Sequence, residues 1–358
     1  LPSALSDVAR EAGVSLSTAS RALDPQAGHP VRQETRRRVV EAASRLDYRP
    51  NPMAQALRDR RLNTIAVIVH ELLDPYFAEI VRGAAAEAAG HGYLTFLCSS
   101  QRDPAAESRY VGMLRRSRVA VVLFAAGELD DRQARAEIAE HVAAIRRYGG
   151  AVVALAPRVE KWATEVTDNV GGSRLATEHL IALGHRRIAF IAGPERVRTS
   201  REREKGYLQA MEQARLDPVI ERGDFTMGSG ATATSQVLTH GRVTAIAVAS
   251  DTMAVSVLAE LARRGLRVPD DMSVVGFGDM PGWEFAHPAL TTVRVNLAEI
   301  GAAGVRRALA QIDGTDRSPR VHVHPVSLVR RDSTQELHPS ASAKAGLRSR
   351  ARRQAATR

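Results

Sequence analysis

Cysteine is nearly absent: Cys98 is the only one among 358 residues. A single thiol excludes an intrachain disulfide and a metal site built from several cysteines, and it suits a reducing cytoplasm. Long apolar runs are missing as well. None reaches the length of a membrane span, and no signal peptide is read ahead of the first helical segment, so a soluble chain without a membrane partner is expected. Enzymatic motifs are equally scarce. GPERVRTS is not a phosphate loop, Cys98 lies within or just beyond a strand, and no histidine pair is read at ligand spacing. His179 and His185, in EHLIALGH, are read as structural. No catalytic residue, metal or cofactor is therefore expected.

Basic charge is present in excess and is unevenly placed. The chain carries 50 Lys and Arg against 40 Asp and Glu, a net charge of +10. Residues 1–61 hold eleven arginines against seven acids, and residues 338–358 hold Lys344, Arg348, Arg350, Arg352, Arg353 and Arg358 with no acid. These two ends account for the whole excess, so a polyanionic partner belongs to them and not to the neutral middle. The tail has Ser, Ala and Gly between its charges and is expected to be disordered.

The first end opens with LSDVAREAGVSLSTASR. Leu5, Val8, Ala9 and Ala12 recur at helical spacing and define one apolar face. Gly13 fits a helix-ending left-handed residue, and Ser15 can cap a second helix whose buried face continues through Ala19 and Leu23. The other face shows Leu16, Ser17, Thr18, Ser20 and Arg21: either a solvated helix or a surface of short side chains that approaches and reads a partner. Val39, Val40, Ala43 and Leu46 mark a third amphipathic helix with arginines on its polar side. Three short helices with outward arginines suit a DNA-binding head. The next segment, PNPMAQALRDRR from Pro50, offers about two helical turns, too few to be stable alone in water. It is either a passive linker or a helix that forms only when held.

Beyond it, strand-like runs start at Thr64, Tyr93, Val119, Ala151, Arg187, Ala245, Met272 and Leu290. Helical stretches alternate with them, among them 76–91, 173–183, 202–214, 253–264 and 299–312. Such alternation predicts parallel sheets with helices on both faces, and eight or more strands favour two lobes over one open sheet. Two facing lobes make a cleft beyond the carboxyl ends of their strands.

DVAREAGVSLSTASRAL, TRRRVVEAASRLDYRPNPMAQALR, DPYFAEIVRG, DNVGGSRLATEHLIALGHRRIAFIAGP, VPDDMSVVGF and PALTTVRV, in this order and spacing, resemble the LacI/GalR family of transcriptional regulators from about Leu5 to Asp332. The resemblance implies a small all-α helix-turn-helix head on an α/β core of two doubly wound parallel-sheet lobes like those of periplasmic binding proteins. Its divisions are a head over 1–49, a hinge over 50–61, an effector-binding and dimerisation core over 62–337, and the tail over 338–358. It implies a homodimer on operator DNA, cytoplasmic and nucleoid-associated, controlled by a sugar-like or other polar metabolite held between the lobes. Leu16, Ser17 and Arg21 match base-reading positions, with Thr18 and Ser20 beside them. Asn51, Ala54 and the wedge Leu57 belong to the hinge. His70, Tyr76, Phe77, Arg203, Ser250 and Asp279 match effector positions; for Arg203 a surface ion pair with Glu202 or Glu204 is the competing reading. Gly278 replaces one customary acid, Ser250 an amide, and Ala156-Pro157 a polar pair, which argues for an effector larger or less hydroxylated than a monosaccharide. A solute-binding protein of the same core fold is the alternative.

Overall fold

The computed structural model describes residues 4–23, 31–48, 62–127, 130–159 and 161–337. The hinge residues Asn51, Ala54 and Leu57 and the basic tail lie outside these residues. The chain divides into two compact units between Asn63 and Thr64.

The first unit is built from three helices, α1 (Leu5–Glu11), α2 (Leu16–Leu23) and α3 (Gln33–Arg45). Gly13 takes the left-handed conformation that the tight connection requires, with φ +65°. The Ser15 hydroxyl accepts from the Thr18 amide (3.1 Å) and so caps α2. Val8, Ala9, Ala12, Ala19, Ala22, Val39, Ala42 and Ala43 form the core. Small residues dominate it, which lets three short helices approach closely. Val40 departs from expectation: it is exposed, and Ala42 takes the buried place. The phase of α3 points the Val39, Ala42, Ala43 edge inward, with Leu46 packed against the same core, and turns Val40 to solvent.

The second unit consists of two lobes, each with a six-stranded, mostly parallel sheet. In chain order the elements of the first lobe are β1 (Leu62–Val69), α4 (Pro75–Gly90), β2 (Leu94–Ser99), α5 (Pro104–Arg116), β3 (Val119–Phe124), α6 (Arg132–Arg147), β4 (Ala151–Ala154) and β5 (Ala163–Thr167). The second lobe follows with α7 (Asn169–Ala182), β6 (Ile188–Ala192), α8 (Arg198–Gln213), β7 (Val219–Arg222), α9 (Met227–Val237), β8 (Ala245–Val248), α10 (Asp251–Arg263), β9 (Ser273–Gly278) and β10 (Thr291–Val295). The chain then returns to the first lobe for α11 (Leu297–Ile312) and β11 (Val321–His324), and ends in the second with β12 (Val326–Val329). The strand orders are β11-β5-β4-β3-β1-β2 and β12-β10-β9-β8-β6-β7, with β12 antiparallel to β10. Three crossovers therefore join the lobes, after β5, β10 and β11.

All eight expected strands are present. The central ones are buried along their whole length, as β3 and β9 show, which is why they read as unbroken Val, Ile and Ala runs. Asp74, Asp103, Asp131 and Asp168 cap the helices they precede by accepting a backbone amide two or three residues on. Helix α4 lies directly on α11. A Cβ at Gly83 would overlap the Ala298 carbonyl, and one at Gly301 would overlap that of Ile80. The same device joins α8 to α7, where Gly206 faces the Val170 carbonyl.

Candidate functional site

In the first unit, α2 buries Ala19 and Ala22 and turns Leu16, Ser17 and Arg21 outward. Leu16 is 54% exposed, which is not explained by any need of the small core. Thr18 and Ser20 are half-buried beside them. Ser15 Oγ meets the hydroxyls of Thr18 (2.8 Å) and Ser17 (3.0 Å), and Arg21 Nε donates to the Ser17 carbonyl (3.2 Å). These local bonds hold short polar groups and one guanidinium on a single exposed face. Such a face can enter a groove and present donors to base edges and phosphates.

In the second unit a cavity with about 60 Å³ of free interior volume opens between the lobes, where two-lobed folds hold small molecules. The carboxyl ends of β1, β3, β8 and β9 lead into its walls, as the open-sheet rule requires. Five of the six expected effector residues line it: His70, Tyr76, Phe77, Arg203 and Ser250.

Arg203, on α8, is only 4% exposed. Its Nε donates to Asn169 Oδ1 (2.9 Å) and Nη1 to the Ala249 carbonyl (2.6 Å). The guanidinium lies 4.0 Å over the Phe277 ring and 5.7 Å from that of Tyr76. Burial pulls its pKa down, opposed by Tyr76, Glu202 and Asp74. The surface ion-pair reading fails, because Glu202 pairs with Arg198 (3.1 Å) and Glu204 with Arg222 (2.8 Å).

His70 follows β1 and is buried, with Nε2 lacking a hydrogen-bond partner among the described residues. Burial, then the positive fields of Arg158, Arg102 and Arg196, lower its pKa to about 3. The ring is neutral, and its edge meets Phe77, 6.0 Å away. Ser250 caps α10 by accepting from the Met253 amide (3.3 Å). Thr252 then donates across to Asp74 in the first lobe (3.4 Å).

Asp279 is a correction. It does not line the cavity. With φ +56° after Gly278 at +142°, the chain turns its carboxylate away to Arg294 (2.6 Å) and Arg331 (2.7 Å). Asp251 takes its place. It is fully buried, accepts from Thr292 Oγ1 (2.6 Å) and the Met280 amide (3.1 Å), and burial raises its pKa to about 6. Sequence reasoning also missed Asp74, Arg102, Phe225 and Phe277. Their position just after a strand, or at its end, was the available signal.

Comparison with known proteins agrees with this geometry. Residues 4–51 match the pattern of bacterial regulatory proteins of the lacI family, and residues 177–334 that of a periplasmic binding protein-like domain. The chain is 34% identical to the HTH-type transcriptional repressor CytR of Escherichia coli strain K12 over 340 residues, covering 93% of this chain and 96% of that protein. It is 32% identical to the HTH-type transcriptional regulator DegA of Bacillus subtilis strain 168 over 337 residues, 93% and 98% of the two chains. The solved structure of the Lac repressor dimer bound to operator and the anti-inducer ONPF is 31% identical with a TM-score of 0.82, over 94% of this chain and 100% of that one. A three-helix head, an inter-lobe cavity and relatives matched over nearly their whole length show that the chain belongs to the lacI family of bacterial regulatory proteins and is a ligand-controlled, DNA-binding transcriptional regulator.

Proposed function

We propose that the protein is a cytoplasmic repressor without catalytic activity, which binds a near-palindromic operator as a homodimer and changes its grip when a small effector fills the inter-lobe cavity. The observation that carries this reading is that the cavity is walled by both lobes, with Arg203 of the second over Tyr76 of the first. A ligand seated there touches both walls and so favours one lobe arrangement over another, the condition for coupling to DNA binding.

Leu16, Ser17 and Arg21 read base edges, with Arg21 suited to a guanine and Thr18 and Ser20 supporting them. In the cavity Arg203 grips hydroxyls or a carboxylate, Ser250 and Asp251 add polar contacts, and Tyr76, Phe77 and Phe277 cover an apolar face. The neutral His70 offers a buried ring nitrogen to a donor. Four aromatic rings beside these polar groups favour a polar metabolite with one flat or apolar side, larger or less hydroxylated than a monosaccharide. A homodimer is supported by the likeness to the Lac repressor dimer and by β2, which closes one edge of its sheet and exposes Leu94, Phe96 and Leu97.

The test is an operator titration, on DNA selected from the source genome, against a panel of polar metabolites. The effector should shift half-saturation at least tenfold for the wild-type protein and leave Arg203→Ala unmoved, while the two bind operator alike without effector. A variant that responds at the same effector concentration overturns the assignment.

A further inference from the structure

One side-chain cluster lies outside the cavity and the reading face. Strands β5 and β11 pair in parallel at the edge of the first sheet, and their register sets His322 opposite Glu165 and His324 opposite Thr167. Successive residues of a strand point to opposite faces, so His322 and His324 share one face and the exposed Val321 and Val323 the other. The expectation that no histidine pair has ligand spacing thus fails at VHVH: two residues apart is ligand spacing on a strand. His322 Nδ1 lies 2.7 Å, and His324 Nε2 2.8 Å, from the same Glu165 oxygen, Oε2. One ligand atom from each residue falls within 4.8 Å of the other two.

We infer that Glu165, His322 and His324 form a binding site for a first-row divalent transition metal of the zinc type.

The donor set decides the class. Two imidazoles and one carboxylate suit zinc or nickel, whereas magnesium and calcium take oxygen ligands. Bonds of about 2.0–2.1 Å in tetrahedral geometry put donor atoms about 3.3 Å apart, so each nitrogen has only about 0.5 Å to open from its present distance. Glu165 and His324 are buried while His322 is half-exposed, which gives an entry path and room for water as a further ligand. Arg307 does not compete for the site. Its Nη1 donates to the other Glu165 oxygen, Oε1 (2.9 Å), and its charge is shared with Asp316 (3.4 Å) and with the Thr164 carbonyl (3.1 Å). It orients the carboxylate so that Oε2 faces the imidazoles, as an outer-shell partner does. Both strands run directly into crossovers between the lobes, so a bound ion clamps the edge strand where the chain changes lobe.

The test uses the full chain, freed of metal by chelation and dialysed, with zinc as probe. Equilibrium dialysis and calorimetry should give one zinc per chain at this site, and zinc should raise the thermal midpoint. His322→Asn removes a half-exposed ligand on an edge strand and leaves the fold intact; it should weaken zinc binding at least tenfold and abolish the thermal shift. His324→Gln should do the same. No stoichiometric zinc binding by the wild-type chain, or equal affinity in the folded His322→Asn variant, overturns the inference and leaves the three residues as a hydrogen-bonded clasp.

Discussion

Acidification should destabilise the core unit, with buried histidines and a buried carboxylate contributing with opposite signs. His70 has an ordinary value of 6.5 and a folded value of about 3. As pH falls below 6.5 the unfolded chain takes up a proton that the folded ring refuses, so stability present above 6.5 is progressively lost. Between pH 7 and pH 5 this amounts to about 2 kcal/mol. His179 moves the same way, from 6.5 to about 4, chiefly through burial; it sits less deeply, and solvent screening reduces its share to about 1 kcal/mol. Asp251 works against both. Its folded value of about 6 exceeds its ordinary 3.8, so the folded state gains a proton first and stability rises by about 1 kcal/mol over the same interval. The net loss should be about 2 kcal/mol. Urea unfolding at both pH values and constant ionic strength, followed by tryptophan fluorescence, reads it, since Trp162 and Trp283 both lie in the core unit. His70→Gln should remove most of the loss, and Asp251→Asn should enlarge it. An unchanged pH dependence in His70→Gln would refute the reasoning.

Two further outcomes concern packing. Arg158 and Glu107 form an ion pair with side chains 3% and 5% exposed, and Glu107→Ala should cost about 3–5 kcal/mol in urea unfolding because it strands a buried guanidinium. Gly83→Ala should cost about 1–3 kcal/mol or more, since its Cβ meets the Ala298 backbone, which cannot rotate away; a loss under about 0.5 kcal/mol would mean that α4 and α11 slide freely.

How much of this was legible in the sequence depended on what each residue had to satisfy. The central strands announced themselves because burial on both faces demands unbroken aliphatic runs. Strands β5, β7, β11 and β12 did not, as ATEVT, VIER, VHVH and VSLV are short and carry polar groups toward neighbours that only the fold supplies. Glu165 is the clearest case: its burial depends on Arg307, 142 residues away along the chain. In the cavity, Arg203, Tyr76 and Ser250 were recoverable because motif position fixes where a helix starts relative to its strand. Asp279 was misplaced because two consecutive positive φ angles turn it toward Arg294 and Arg331, and nothing adjacent in sequence signals that. Val40 was misassigned for a smaller reason: apolar spacing fits two helical phases, and only α1 and α2 choose between them.

The return of α11 and β11 to the first lobe also sets the order in which the protein can be made. Gly83 waits for Gly301, more than two hundred residues later, before α4 has anything to lie on. A nascent chain halted before Leu297 therefore carries a first sheet lacking both an edge strand and a covering helix, and a second sheet lacking its antiparallel edge. Neither sheet is complete until β11 and β12, between Val321 and Val329, emerge. Contacts of such long sequence separation are slow to form, and the apolar face of α4 stays bare in the meantime. A chain cut before Val321 therefore lacks an edge strand in each sheet.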